Sequence, residues 1–375
     1  MKFLHTADWQ IGMKAAHVGK AGPKVREERL NAGRRVIEIA QQEKVQFMLI
    51  AGDTFEDNGV SRVLVQKTAD ILAGFNAPVY IIPGNHDPFL PGSVWTHPVW
   101  ESLSNVHLLL EEKPAEIPGG LLYPCPIFEK HSGKDPTAWI QASEAQCIKI
   151  GLAHGTVEGI PTDETDYPIP RNVPTRVKLD YTALGHWHST ATYEGEDEAV
   201  RMAYSGTHEP TQFGERDSGN ALIVEIPSFG AKPLVTPMRT GALKWVTLDD
   251  ELIHFGEVTQ LRQQIESMDE PESTLLNIRI AGLLAVEEQE EIARIHEIAA
   301  SRFLFNQIDT SRIRPAPEDE NWVTQLPAGI IRDTGMRLRE LSDPHFQGER
   351  PEDVPPEVAA RALVELYALI HEVVS

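Results

Sequence analysis

The chain has 375 residues, of which 41% are hydrophobic and 24% charged, a composition typical of a globular protein with two or three domains. No apolar run is long enough to span a bilayer, and two cysteines alone exclude a disulfide scaffold or a cysteine-based zinc site. The net charge of -22 argues against sequence-independent DNA binding by the whole surface. Because residues 1–5 run directly into the first motif, we expect no cleaved signal peptide, a cytoplasmic location and no membrane association.

A phosphate-binding site would therefore have to be local, and the stretch after residue 13 is one candidate. Its basic residues are Lys14, Lys20, Lys24, Arg26, Arg29, Arg34 and Arg35. The same stretch is equally well explained as a solvated loop and helix face, so the sequence leaves both interpretations open.

The first half of the chain alternates predicted strands and helices. The predicted strands are residues 3–7, 45–51, 78–82 and 106–110. Apolar residues at helical spacing predict helices at 25–42 and 60–75, and Ser61 is placed to cap the second. This order predicts a layered α/β domain.

After residue 147 the predicted strands follow one another closely, with little helix between them. They are residues 148–153, 181–185, 201–204, 221–226 and 234–237. We interpret them as a second sheet packed on the first. Residues 159–174, rich in Pro, Asp and Thr, are predicted to form a loop.

The character of the sequence changes after about residue 240. Predicted strands at 244–248 and 275–280 and a predicted helix at 285–300 indicate a compact α+β unit. A final helix at 357–374 carries an apolar stripe formed by Leu363, Leu366, Tyr367, Ile370 and Val374. The stripe could pack on the protein itself or on a partner. We place domain boundaries at 1–240, 241–330 and 331–375.

Five short motifs run in order down the first half of the chain. They are Asp8-Trp9-Gln10, Gly52-Asp53, Gly84-Asn85-His86-Asp87, His154-Gly155 and Gly185-His186-Trp187-His188. Each follows a short apolar run that predicts a strand. The motifs are therefore expected along one edge of a sheet. Their Asp, Asn and His side chains suit hard or borderline divalent cations. The ordered set predicts a dinuclear metal site.

The chemistry expected of such a site is phosphoester hydrolysis. Two divalent cations that share a carboxylate polarise a phosphoryl group and lower the pKa of a bridging water. Asp53 is the natural shared carboxylate, and Asp8 would bind one cation. Asn85 offers a neutral amide oxygen, while His154, His186 and His188 offer imidazole nitrogens. Because His186 and His188 are two residues apart in an extended segment, they face the same side, which suits one histidine per metal.

His86, next to Asn85, is the candidate general acid that protonates the leaving alkoxide. Such a histidine needs an orienting carboxylate, and Glu56 is our first choice, with Asp57 and Asp87 as alternatives. His5 is predicted to be a buried strand histidine. For His208 we favour a structural role in a loop over a place in the cleft.

With these residues in hand, the chain resembles the calcineurin-like metallophosphoesterases, and among them the SbcD-type nuclease subunits of DNA double-strand-break repair complexes. The matching segments are LHTADWQIG, LIAGDTFED, YIIPGNHD, GLAHG, DYTALGHWH and YSGTHEPTQFGE. The resemblance implies a four-layer α/β/β/α sandwich over roughly the first 240 residues. It also implies a smaller α+β capping domain after the sandwich. The chain then ends with a C-terminal helix.

The resemblance also implies ligands, activity and partners. One metal would be held by Asp8, Asp53, His188 and position 10, and the other by Asp53, Asn85, His154 and His186. The implied metal is manganese, with magnesium as the alternative. The implied activity is exonuclease action on double-stranded DNA ends and endonuclease action on single-stranded DNA. The implied partners are a coiled-coil ATPase of the SbcC type and a second copy of the chain.

Two departures from the family pattern matter. The family's first motif is Asp-x-His, and here Gln10 stands in place of the histidine. Because an amide oxygen is a weaker donor than imidazole, we predict that the metal near Asp8 is weakly held. Glu56 stands where the family has Asp. Two alternatives to a nuclease stay open: an enzyme acting on a small phosphodiester or nucleotide, and a weakly catalytic DNA-end-binding subunit.

Overall fold

The computed structural model describes residues 1–160, 166–317, 321–351 and 354–374. Residues 161–165 of the predicted 159–174 loop lie outside this range, as does the side chain of Val374. The chain divides into two compact units, Met1–Leu243 and Lys244–Ser375. In the described part of the chain, no helix is both long and apolar enough to cross a membrane.

The strands of the described residues, in chain order, have the following bounds. They are β1 (Lys2–Thr6), β2 (Met48–Ala51), β3 (Val79–Ile82), β4 (Val106–Leu108), β5 (Ala115–Ile117), β6 (Gly120–Pro124), β7 (Ile148–His154), β8 (Tyr181–Gly185), β9 (Ala191–Glu194), β10 (Val200–Tyr204), β11 (Asn220–Glu225), β12 (Leu234–Arg239), β13 (Lys244–Leu252), β14 (Thr274–Leu284) and β15 (Phe305–Pro315).

The α-helices and the short 3-10 helices lie between these strands. The α-helices are α1 (Gly22–Gln42), α2 (Arg62–Ala73), α3 (Val173–Val177), α4 (Glu257–Glu266), α5 (Gln289–Arg302), α6 (Trp322–Gln325), α7 (Ile330–Ser342) and α8 (Pro356–Val374). The 3-10 helices are Ala16–Ala21, Val94–Thr96, Pro98–Ser102, Pro271–Ser273 and Val286–Glu288. Ser61 caps α2 as predicted, because its side chain accepts a hydrogen bond from the Leu64 amide at 3.4 Å.

The first unit contains two six-stranded mixed sheets, and the predicted sandwich fold is confirmed. The first sheet has the order β12-β11-β1-β2-β3-β4, in which β1 to β4 run parallel. The second has the order β5-β6-β7-β8-β10-β9, with β6, β7, β8 and β10 parallel. Parallel neighbours bring the carboxyl ends of β1, β2 and β3, and those of β7 and β8, to common sheet edges.

One assignment from the sequence was wrong. The segments 221–226 and 234–237 were predicted to belong to the second sheet, but β11 and β12 complete the first sheet. There β11 pairs antiparallel with β1, and Phe3 lies opposite Val224. Apolar alternation predicts a strand but not its partner, because any strand with the same pattern offers the same ladder of backbone groups.

Side chains alternate between two cores along each central strand, as the pleat requires. In β2, Met48 and Ile50 pack in the core that includes residues of α1 and α2, whereas Leu49 and Ala51 face the core between the sheets. A third core covers the outer side of the second sheet, where the described residues supply loops and the short helix α3. In the described residues, the outer side of the first sheet is therefore covered by the long helices α1 and α2, whereas the outer side of the second sheet is covered mainly by loops.

The second unit is built around a parallel three-stranded sheet in the order β13-β14-β15. Helices α4 and α5 share a buried apolar cluster with this sheet. Helix α8 packs on α7 and contacts β14, and Tyr367 of its apolar stripe meets the Trp322 ring at 4.9 Å. Residues 331–375 lie in the same compact unit as residues 244–330. The sequence did not predict α4, β15 or α7.

Candidate metal centre

The structure brings the predicted ligand residues together at the carboxyl ends of five strands. Asp8 follows β1, Asp53 follows β2, Asn85 follows β3, His154 ends β7, and His186 and His188 follow β8. Asp8, Gln10, Asp53 and His186 all adopt positive φ, with values of 55°, 41°, 49° and 106°. Side chains disfavour this backbone region, and such strain concentrates at functional sites. The turns that aim these side chains therefore cost free energy that the surrounding packing must offset.

Asn85, His154 and His186 form one part of the centre, which we name the Asn85 group. The Asn85 Oδ1 lies 2.8 Å from Nε2 of His154 and 3.1 Å from Nδ1 of His186. The same Nε2 lies 3.4 Å from the Asp53 carboxylate. Three candidate ligands and the candidate shared carboxylate thus converge on one small volume.

The second ring nitrogen of His154 fixes how the imidazole is presented. Its Nδ1 donates a hydrogen bond to the Ala51 carbonyl at 2.8 Å. Since a carbonyl can only accept, Nδ1 carries the proton, and in the neutral ring Nε2 keeps its lone pair for the centre. A histidine whose outer nitrogen is held by an acceptor in this way is typical of metal sites.

Asp8, Gln10 and His188 form the other part, the Asp8 group. The His188 Nδ1 meets the Glu215 carboxylate at 2.8 Å, and Glu215 also accepts a hydrogen bond from the Thr211 amide at 2.8 Å. On the other side of the ring, Nε2 of His188 lies 3.0 Å from Nε2 of Gln10. The Gln10 amide therefore donates to the nitrogen that a cation would need, and it must turn its oxygen inward before it can act as a ligand.

The charges of the centre suit a cation. Ligand atoms of Asp8, Asp53 and His154, all buried, lie within 4.8 Å of one another. Burial raises the pKa of Asp8 to about 6, and the charge of Asp53 adds to the rise while His154 and His188 oppose it. Although burial also opposes ionisation of Asp53, the neighbouring His154 holds the pKa of that carboxyl well below its usual range. Two buried carboxylates this close together need positive charge beside them.

The two histidines of the Asn85 group have opposite electrostatics. Burial disfavours the charged form of His154, but the Asp53 carboxylate outweighs burial and raises the pKa of His154 to about 9. Burial, reinforced by the charge of His154, lowers the pKa of His186 to about 4. Since a metal ligand must be deprotonated, His186 is ready to bind and His154 must first release a proton.

Asp87 locks two of the motif turns together. Its fully buried carboxylate accepts hydrogen bonds from the amides of Gly84 at 2.7 Å and Phe55 at 2.8 Å. Burial, reinforced by the charge of Asp53, raises the pKa of Asp87 to about 8. The sequence offered Asp87 only as an alternative partner for His86, and its contacts instead join the turns that carry Asp53 and Asn85.

His86 lies beside the centre, and its contacts differ from those predicted. Its amide donates to Asp53 at 2.9 Å, and its ring Nδ1 donates to the backbone carbonyl of Glu56 at 2.9 Å. The orienting contact predicted for the Glu56 carboxylate is thus made by its main chain, because the turn after β2 points this carbonyl at the ring. Burial raises the pKa of the Glu56 carboxyl, and the charge of His86 opposes the rise.

Glu215 and Arg29 are two residues whose roles at the centre the sequence did not reveal. The fully buried Arg29 donates to the carbonyls of Asp8, Trp9 and Glu209, and so holds the first motif in place. Arg29 is therefore neither a solvated nor a phosphate-binding residue, as its place in the basic stretch had left open. Arg29 lies among other charged residues of α1, and charge alone does not reveal which of them faces the buried side of the helix.

Two predicted structural histidines have the predicted surroundings. His5 is fully buried in β1, with its ring nitrogens near the Tyr181 hydroxyl at 3.1 Å and the Leu184 carbonyl at 3.0 Å. His208 is also fully buried, stacks on Trp9 at 4.9 Å and meets the Arg29 carbonyl at 2.8 Å. His208 thus packs against Trp9 of the first motif in the interior and does not line the cleft.

Comparison with known proteins decides the family. A model of the calcineurin-like phosphoesterases matches residues 1–190, which is more than half of the chain. The chain belongs to the calcineurin-like phosphoesterase family. It is therefore a phosphoester hydrolase, and the use of divalent metals by such enzymes agrees with the cation-binding character of Asp8, Asp53 and His154. The recognition from motifs is confirmed at this level.

A curated relative of this phosphoesterase is an uncharacterized metallophosphoesterase of Bacillus subtilis strain 168, YhaO. It is 26% identical over an alignment of 238 positions, which covers 60% of this chain and 57% of the relative. The match thus spans little more than half the length of that protein.

Two solved structures are also similar to this phosphoesterase. One is TT1561 of Thermus thermophilus, at 10% identity and a TM-score of 0.41, covering 64% of this chain and 99% of that one. The other is Vps29 of Entamoeba histolytica in complex with zinc, at 16% identity and a TM-score of 0.29, again covering 64% and 99%.

Proposed function

We propose that this phosphoesterase is a DNA nuclease that processes ends in double-strand-break repair, as the nuclease subunit of an SbcCD-like complex. The observation that carries the proposal is the run of six segments similar to SbcD-type nucleases. That similarity continues past the metal motifs into residues 204–215, where Glu215 contacts His188 at 2.8 Å. A cytoplasmic location is part of the same proposal.

The proposed roles follow the two groups of the centre. Asp8, Gln10 and His188 would hold one cation, Asn85, His154 and His186 the other, and Asp53 would contact both. The cations, for which we propose manganese, supply charge stabilisation and activation of water. Because the Glu56 carbonyl fixes the proton on Nδ1 of His86, Nε2 is the nitrogen left to carry a second proton. We assign to it protonation of the departing sugar oxygen.

The proposed partner contact lies on α8. Val358 and Leu369 of this helix are 51% and 57% exposed, whereas Ala359 and Tyr367 are buried within the second unit. We propose that the exposed side contacts a coiled-coil ATPase of the SbcC type. Changing Leu369 to Glu should abolish co-purification with this ATPase while leaving the melting temperature near that of the wild type. Unchanged co-purification would refute the contact. The proposed homodimer is checked separately by light scattering of the purified chain.

The experiment that tests the nuclease is degradation of end-labelled linear duplex DNA with and without manganese. We expect degradation that needs the metal and that falls about 10²–10⁴-fold in the His86→Ala variant, the range for loss of a general acid. His107→Ala, an exposed position on β4, is the matched control. Absence of degradation by the folded, manganese-loaded wild type together with its ATPase would refute the nuclease function.

The second candidate function is hydrolysis of a small phosphodiester or nucleotide. It is favoured by the net charge of -22, which repels a polyanion more strongly than a small substrate. Comparing kcat/KM for bis(p-nitrophenyl) phosphate with that for duplex DNA separates the two. Efficient turnover of the small ester with none of DNA would favour this second candidate.

A further inference from the structure

We propose that a pocket beside the metal centre binds a nucleobase of the substrate, next to the phosphodiester that is cleaved. The pocket has a volume of about 500 Å³, within the range of about 300–1,000 Å³ that small-molecule sites occupy. Its lining includes Trp187, Phe213, Gln212 and Ser189, together with His186 and His188 of the centre. This inference rests on the nuclease function proposed above and adds a specific contact to it.

The two aromatic side chains belong to the segments that build the centre. Trp187 lies between His186 and His188, so its backbone is held by two candidate ligands. Phe213 lies two residues before Glu215, whose carboxylate meets Nδ1 of His188 at 2.8 Å. Anything that orders the ligands therefore also orders the pocket. Because His186 and His188 line the pocket as well as the centre, a phosphate bound at the centre would bring its attached group close to the pocket.

The chemistry of the lining favours a flat, uncharged group over a second phosphate. Among the described residues that line the pocket there is no lysine or arginine, and Glu215 carries the sole carboxylate. That carboxylate is engaged by His188 and by the Thr211 amide. The Gln212 amide and the Ser189 hydroxyl can exchange hydrogen bonds with a polar edge.

A nucleobase has this combination of an aromatic face and a polar edge. Bases stack on aromatic side chains largely irrespective of sequence, because every base has a π face. The pocket is therefore expected to select nucleotides over other phosphodiesters without selecting one base. This selectivity is what a nuclease that degrades DNA of any sequence needs.

The test measures binding of two ligands to the full chain loaded with manganese, by titration calorimetry. Thymidine 5′-monophosphate and 2-deoxyribose 5-phosphate carry the same phosphate and sugar, and only the first carries a base. We expect the wild type to bind the nucleotide about tenfold more tightly, equivalent to about 1.4 kcal/mol. In the Phe213→Leu variant the preference should fall below about threefold. Phe213→Tyr, which keeps the aromatic ring, should retain the preference.

The Trp187→Leu variant repeats the test at the second aromatic residue of the lining, with Trp187→Phe as its control. Loss of the preference in either leucine variant, with retention in its aromatic control, supports the inference. Equal or undetectable binding of both ligands by the wild type overturns it. If DNA is degraded but no preference is found, the base pocket fails and the nuclease stands. If the preference is found but DNA is not degraded, the nuclease fails and the pocket stands.

Discussion

The Asn85 group and the Asp8 group occupy equivalent places at the ends of neighbouring strands, yet they differ in readiness for a cation. In the Asn85 group, an amide oxygen faces two imidazoles at 2.8 and 3.1 Å. In the Asp8 group, an amide nitrogen faces the imidazole of His188 at 3.0 Å. Once His154 has released its proton, the first arrangement points acceptors at one volume, whereas the second fills that place with a donor.

This difference shows that the fold determines where the candidate ligands lie, whereas a single side chain can determine how well a group binds a cation. The backbone turns at Asp8 and Gln10 have the same left-handed character as the turn at Asp53. His188 is oriented by Glu215 much as His154 is oriented by the Ala51 carbonyl. The donor amide of residue 10 is the difference that keeps an acceptor out of the Asp8 group, so changes at the centre should expose this asymmetry.

The largest effect is expected for Asp53→Asn, which should weaken both groups together. Asp53 lies within ligand distance of Asp8 and His154, and an amide cannot neutralise two cations. Hydrolysis of bis(p-nitrophenyl) phosphate should fall by more than about 100-fold, beyond the loss typical of outer contacts. Metal content per chain should fall as well. Asp57→Asn, a turn residue that accepts from the Gly59 amide, is the control, and wild-type metal content in Asp53→Asn would contradict the shared role.

Glu215→Gln should separate the two groups. Loss of the charge behind His188 is expected to weaken the cation of the Asp8 group by about 10–100-fold while sparing the Asn85 group. Titration calorimetry with manganese resolves the two affinities, and Glu196→Gln, an exposed carboxylate in the same unit, is the matched control. Equal weakening of both affinities would show that Glu215 supports the fold of the centre as a whole.

Gln10→His tests the residue that makes the groups unequal. An imidazole at this position is expected to tighten metal binding at the Asp8 group by about tenfold, the lower range of effects on metal affinity. Hydrolysis at limiting manganese should rise accordingly, and Gln10→Ala should lower both. If the Gln10→His variant and the wild type bind and hydrolyse equally well, the amide oxygen of Gln10 is a sufficient ligand.

The smallest expected effect is a change of the melting temperature of the metal-free protein with pH. The folded-state pKa of His154, about 9, lies above its ordinary 6.5, so its stabilisation is full below pH 6.5 and is lost as pH rises through 9. Asp87, with a pKa raised to about 8, acts in the same direction, because the folded state retains a proton that the unfolded chain releases. The melting temperature in EDTA should therefore fall by a few degrees between pH 6.5 and 9, at about 2–4 °C per kcal/mol.

Manganese should reverse part of this trend. Metal binding requires neutral His154, so the stabilisation by manganese should grow with pH over the same interval. His154→Gln should flatten both dependences. A melting temperature that rises with pH in the metal-free protein would contradict the assigned direction.

The convergence of the candidate ligand residues could be predicted because their signal is local. Asp8, Asp53, Asn85, His154 and His186 each come within a few residues of the end of a buried strand, and parallel strands end at one edge. The alternation of apolar residues likewise predicted β1, β2 and β3 to within a few residues. Family membership and the class of reaction follow from these local patterns.

What the sequence could not supply were contacts between distant segments. The pairing of β11 with β1, the Arg29 contacts under the first motif and the Glu215 contact with His188 join residues far apart in the chain. Their partners are chosen by packing, which no local pattern records. The main-chain carbonyl of Glu56 took the place predicted for its carboxylate for a related reason, since every residue carries a carbonyl and only the turn decides which one is aimed at His86. The sequence by itself thus determined which chemistry the protein carries, and the tertiary structure alone decided how each group is held, oriented and charged, because those properties depend on neighbours brought together only by folding.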